Sequence, residues 1–170
     1  MAIEDTIDRD CDRIRDRQGR EARNIFSRLP ALYAASRRQG QRLLEQGGGL
    51  SILEWRTLWD LAEVGPATIG DLAAIQRADH SLLSRALPAM RRKGLVTTRR
   101  DPSDGRQSIV ALTPAGRAAY GRAAPVMRRR RAALAEAFTE EEIGIFVGLL
   151  DRLEEVLRRP VDEIAREAAE

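Results

Sequence analysis

The 170-residue chain predicts a mostly α fold of α+β type, with about six or seven helices and one two-stranded β wing. Three observations carry that expectation. Apolar residues recur at helical spacing through most segments, while two-residue alternation is confined to the neighbourhood of Val110 and Leu112. Helix-start signatures, a Ser or Thr with an acid three residues on, stand at Ser51/Glu54, Thr68/Asp71 and Thr139/Glu142. A stop at Gly94 is followed by two strand-like runs around a turn rich in Asp, Pro and Gly.

Composition narrows the function classes. At 43% hydrophobic the chain is long enough for one compact domain. Cys11 and His80 are the sole cysteine and histidine, so an intrachain disulfide and a thiolate or imidazole metal cluster are excluded within one chain. No nucleophile, base and orienting group fall into a plausible arrangement, so neither an enzyme nor a cofactor is expected. The most apolar run, Ile143 to Leu150, is short and interrupted by Gly144 and Gly148, and no signal peptide is evident; a cytoplasmic protein is expected. The net charge of +3 hides a segregation: residues 1–76 hold 11 basic and 12 acidic groups, residues 77–131 hold 14 and 3, and residues 132–170 hold 4 and 11. Concentrated positive charge in the middle segment favours a polyanion through counterion release.

In chain order, Ile3, Ile7, Cys11 and Ile14 form a thin helical stripe over residues 3–20, too narrow to stand alone, which needs a neighbouring helix or a second subunit. A longer helix is expected from Arg20 to Gln46, kinked or interrupted at Pro30 and ended by Gly47-Gly48-Gly49. Ser51 and Glu54 then cap a helix with Trp55, Leu58, Trp59 and Ala62 on one side, and Leu50 can staple against Trp55. After the turn at Gly65-Pro66, Thr68 caps a short helix containing Ile69, Leu72 and Ala73. Asp79 caps the next, with Leu82, Leu83, Ala86, Leu87 and Met90 as its core stripe. Short helix, turn and second helix make a helix-turn-helix.

The opposite arc of that second helix collects Ser81, Ser84, Arg85, Pro88, Arg91 and Arg92, small donors and guanidinium forks without an acid. Such a strip suits base edges and phosphates. His80, just inside the cap, is either a further contact or a surface residue. Pro88 removes one backbone donor and should bend the helix, which affects where Arg91 and Arg92 point. Strands then follow at Leu95–Arg100 and Gln107–Leu112. In the wing, Arg99 and Arg100 suit backbone contacts and Arg106 insertion into a narrow minor groove. Thr113 and Pro114 start a helix reaching about Ala137, and a second follows from Thr139 to Pro160. Leu149, Leu150, Leu153, Val156 and Leu157 give it an apolar seam, and a last short piece carries Val161, Ile164 and Ala165. Seams of this kind, with Ile7 and Ile14 at the other terminus, predict a homodimer.

The run Asp104-Gly105-Arg106-Gln107-Ser108-Ile109-Val110-Ala111-Leu112-Thr113, continued by Pro114-Ala115-Gly116-Arg117, resembles the wing signature D-x-R-x-x-x-V-x-L-T-x-x-G-R of the MarR family of winged helix-turn-helix transcription regulators. Ser84-Arg85-Ala86-Leu87 through Lys93-Gly94-Leu95-Val96 is similar to that family's recognition helix and its exit. The resemblance implies N-terminal dimerisation helices over 1–50, a winged helix-turn-helix over 51–116 and C-terminal dimerisation helices over 117–170, in one compact domain. It implies double-stranded DNA as partner, read by a homodimer at a pseudo-palindromic operator, probed through His80, Ser81, Ser84, Arg85, Arg91, Arg92, Arg99, Arg100 and Arg106. Asp104 would brace the wing, by pairing with an arginine such as Arg106 or by turning the backbone. Repression, and release by a small aromatic or anionic ligand, are further implications, with Phe26, Tyr33, Trp55, Arg56 and Trp59 as candidate ligand residues; two tryptophans one turn apart are most often core. Cys11 has two readings, packing or, by resemblance, an oxidant sensor; Asp8, Asp10 and Asp12 around it oppose a thiolate. The alternative to DNA reading is a winged helix that docks an acidic protein.

Overall fold

The computed structural model describes residues 9–102, 104 and 107–167. Helices α1 (Cys11–Glu21), α2 (Ile25–Gln46) and α3 (Ile52–Val64) lead to a two-residue strand β1 (Ala67–Thr68) and the helix pair α4 (Ile69–Gln76) and α5 (His80–Arg92). Strands β2 (Val96–Arg100) and β3 (Ser108–Leu112) follow, then α6 (Pro114–Ala137), α7 (Glu140–Leu157) and α8 (Val161–Glu167). Two compact units result, one ending at Val126 and one beginning at Met127.

The local starts and stops are those that the chemistry demands. The Ser51 hydroxyl accepts the Glu54 N–H at 3.2 Å, and the Glu54 carboxylate accepts the Ser51 N–H at 2.8 Å, so two orphan donors of α3 are satisfied. Thr68 with Asp71 and Thr139 with Glu142 repeat the device on α4 and α7. The helix expected from Arg20 is instead broken at residues 22–24. Asn24 takes extended dihedrals, accepts the Phe26 N–H at 3.0 Å and starts α2 afresh. Pro30 then sits within α2 without ending it.

In the first unit the core gathers Leu44, Leu58, Leu72, Leu83, Met90 and Val110, all essentially without exposure. The sheet has three strands in the order β1-β3-β2, all antiparallel, with Ala67 opposite Val110 and Val96 opposite Leu112. Strands β2 and β3 are the expected two-stranded wing, and β1 adds a third strand beside β3 that was not expected. Its two residues follow Pro66 and end on Thr68, which is also the cap of α4, a span too short to show alternation. At the end of α2, an added Cβ on Gly47 would lie 2.8 Å from the Val126 Cγ2 and 3.1 Å from the Ala123 Cα, so glycine permits the close approach of α2 to α6.

In the second unit α7 has no buried residue, and Ile145, Phe146, Leu149, Val156 and Leu157 are each exposed by half or more, while Leu153 is half-buried. Cys11 is exposed and Ile14 half-buried on α1, which also has no buried residue; Ile3 and Ile7 lie outside the described residues. Among the described residues no helix is long and apolar enough to cross a membrane.

Candidate nucleic-acid interface

Helix α5 forms because Asp79 accepts the Ser81 N–H at 2.7 Å and because Leu83, Leu87 and Met90 give it a buried face. That hydrogen bond holds the Asp79 carboxyl below the usual carboxylate range. Its end is a complete Schellman stop: Gly94 takes φ 68°, its N–H reaches the Arg91 carbonyl at 2.9 Å, and the Leu95 N–H reaches the Met90 carbonyl at 3.0 Å. Between these ends His80, Ser81, Ser84, Arg85, Pro88, Arg91 and Arg92 are all exposed. Pro88 does not break the helix, which runs on through Arg92. The Arg85 guanidinium lies back along the helix, donating to the Ser81 carbonyl at 3.1 Å and to its hydroxyl at 3.3 Å. One expectation fails on this helix: Leu82 is 46% exposed and stands outside the core stripe. It falls at the edge of the apolar arc, where about 100° per residue turns it away from Leu83.

On the wing, Arg99 and Arg100 are exposed opposite Ile109 and Ser108. Arg106 lies outside the described residues, so its pairing with Asp104 does too. The described hairpin end is closed by Asp104 and Gln107: the Gln107 N–H donates to the Asp104 carbonyl at 2.9 Å and its amide to the Asp104 carboxylate at 3.0 Å. The base of the wing is tied to α6. Thr113 donates its N–H to the Leu95 carbonyl at 3.2 Å and its hydroxyl to the Gly94 carbonyl, and it accepts the Gly116 N–H at 2.9 Å. Between α5 and β2 runs a shallow groove of about 560 Å³ with Pro88, Arg91, Arg92, Val96 and Thr97 on its walls.

Helix α3 splints this reading head at two points, neither of which was expected from the sequence. Near its start, the 7%-exposed Glu54 accepts from the Lys93 ammonium at 2.6 Å, directly at the end of α5. Burial raises the Glu54 pKa, but the bonds from Lys93 and Ser51 outweigh it, and the net shift is downward. Further along, Arg56 donates to the Gln76 carbonyl at 2.6 Å, capping the end of α4, and the Gln76 amide donates to the Asp60 carboxylate at 2.7 Å. Burial pushes the Asp60 carboxyl up, against the Gln76 bond and the Arg56 charge. The buried Gln76 Oε1 has no hydrogen-bond partner among the described residues. Just after it, Arg77 takes the left-handed region at φ 48°, and the turn into α5 begins.

Of the candidate ligand residues, Trp55 and Trp59 come together. Trp55 is buried and stacks on Trp59 at 6.1 Å and on Tyr120 at 5.4 Å. Trp59 is half-buried and donates to Glu63, Arg56 is committed to the α4 carbonyl, and Phe26 and Tyr33 are exposed on α2.

Comparison with known proteins agrees with this geometry. A model of the MarR family matches residues 48–107, which span α3, the helix pair and the start of the wing. The chain is 31% identical over 106 residues to the uncharacterized HTH-type transcriptional regulator YxaD of Bacillus subtilis, covering 62% of this chain and 74% of that one. It is 34% identical over 67 residues to the HTH-type transcriptional repressor IacR of Pseudomonas putida, covering 39% of this chain and 40% of that one. The structure is similar to the transcriptional regulator MOSR of M. tuberculosis in complex with DNA, with a TM-score of 0.62 and 28% identity over 75% of this chain and 96% of that one. The exposed basic face of α5, the wing beside it and these relatives together establish that the chain belongs to the MarR family of winged helix-turn-helix, DNA-binding transcriptional regulators.

Proposed function

We propose that the protein is a cytoplasmic repressor that binds a pseudo-palindromic operator as a homodimer, each subunit laying the exposed face of α5 in a major groove. The observation that carries this reading is that face itself: Ser81, Ser84, Arg85, Arg91 and Arg92 stand in solvent with no acid among them. Ser and Arg at these positions suit base edges near the start of the helix and phosphates near its end. Arg99, Arg100 and Arg106 then serve the flanking backbone and minor groove, with Asp104 holding the hairpin. Dimerisation through the terminal helices is supported by the uncovered apolar side chains of α7, since an apolar surface of that extent is stable in water when a partner covers it. Occupancy of a promoter blocks transcription. A small aromatic or anionic effector releases the DNA by binding one spacing of the two heads better than the other.

The test is selection of bound duplexes from a random pool, with the affinity of the winner followed against salt. An inverted repeat and a steep salt slope are expected. No enrichment, with shallow salt dependence, would favour docking of an acidic protein. Screening small aromatic acids against the selected duplex tests the effector, and unchanged affinity with all of them would remove it.

A further inference from the structure

Resting on that reading of α5, we infer that Leu82 is a specificity-determining residue that packs on the C5 methyl of one thymine in each half-site. Leu82 is the third residue of α5, in the first turn, and it is 46% exposed although the apolar residues Leu83, Leu87 and Met90 of the same helix are buried. Its neighbours on the open side are donors: Ser81 precedes it, and Arg85 lies one turn on, drawn back over the first turn by its bonds to Ser81. Side chains of a helix lean toward its N-terminus, so the isobutyl group stands over the part of α5 that enters deepest into a groove.

Chemistry then fixes the partner. Every base edge in the major groove offers donors or acceptors, which a leucine cannot satisfy, except that thymine also offers a methyl group. A leucine pressed against any other base would desolvate a polar edge without replacing its hydrogen bond, which is a cost. The same side chain therefore attracts thymine and disfavours cytosine, which presents a donor and no methyl.

Replacing single thymines of the selected duplex by deoxyuridine removes the methyl and nothing else. Binding should fall about fourfold when that thymine is replaced in one half-site and about fifteenfold when it is replaced in both, as expected for one buried carbon per contact. In L82A the same replacements should have no effect, while replacements elsewhere behave as in the parent protein. If every thymine tolerates the change, or if L82A still senses it, the assignment is wrong though the protein reads DNA. If no duplex is selected at all, the DNA reading fails and takes the assignment with it. Where L82A folds poorly, L82Q at this 46%-exposed position carries the same comparison: loss of the deoxyuridine effect supports the assignment, and its persistence overturns it.

Discussion

Replacing Gly116 by alanine would place a methyl group where the Leu95 carbonyl already sits. An ideal Cβ at Gly116 lies 1.9 Å from the Leu95 oxygen and 2.9 Å from its carbonyl carbon, so backbone must part from backbone by about 1 Å or more. The Leu95 oxygen is also the acceptor for the Thr113 N–H, so the shift weakens the junction between the wing and α6. Overpacking costs roughly 1–3 kcal/mol. Each hydrogen bond lost at this junction adds about 1 kcal/mol. The expected total is roughly 2–5 kcal/mol, a large part of a typical domain's stability. Gly121 in the same helix is the control, exposed and with nothing within 4 Å of its Cβ position. There alanine should stabilise by about 0.5–1 kcal/mol through helix propensity alone. Urea denaturation at one fixed protein concentration separates the two, because the stability of any chain that self-associates depends on concentration. With a slope of about 2 kcal/mol per M, G116A should lower the midpoint by about 1–2.5 M, while G121A raises it slightly. A G116A midpoint within about 0.3 M of the parent protein would refute the close approach at the wing base.

Four further variants have expected outcomes. E54Q should cost roughly 1–2 kcal/mol, since it removes the charge that holds Lys93 while leaving the exposed ammonium hydrated. Because the folded pKa of Glu54 is depressed, its contribution is full above the ordinary glutamate pKa and is lost as pH falls through the depressed value; a stability titration of E54Q should be flatter in that acid window than that of the parent protein. R85A should relax base preference within each half-site in a repeated selection, whereas a uniform loss across all sequences would assign Arg85 to phosphates. R106A should weaken binding by roughly 1–3 kcal/mol, most at A·T-rich flanks, as read by titrating duplexes that differ only there. L153E combined with L157E should give monomers in sedimentation, and persistent dimers would place the seam elsewhere.

What the sequence made legible was local. The Ser51/Glu54, Thr68/Asp71 and Thr139/Glu142 caps each join residues three apart, so a short window contains the whole interaction, and all three form. The exposed arc of α5 and the stop at Gly94 were legible for the same reason, since helical period and a left-handed glycine are properties of neighbouring residues. The splint was not. Glu54 meets Lys93 across 39 residues and Gln76 meets Asp60 across 16, and nothing in either window marks the partner. Leu82 sat at the edge of an apolar arc, where period alone does not decide between core and surface. The break before α2 turns on Asn24, a polar cap without a glycine or proline to announce it.

In the proposed complex two copies of α5 read two major grooves from the same side of the duplex. Hydroxyl-radical and guanine-N7 protection on the selected duplex measures this directly. Two symmetric blocks of major-groove protection are expected about one helical turn, roughly 34 Å, apart, with minor-groove protection outside them where the wings reach. One continuous block without twofold symmetry, or protection of phosphates with every guanine N7 left open, would contradict it.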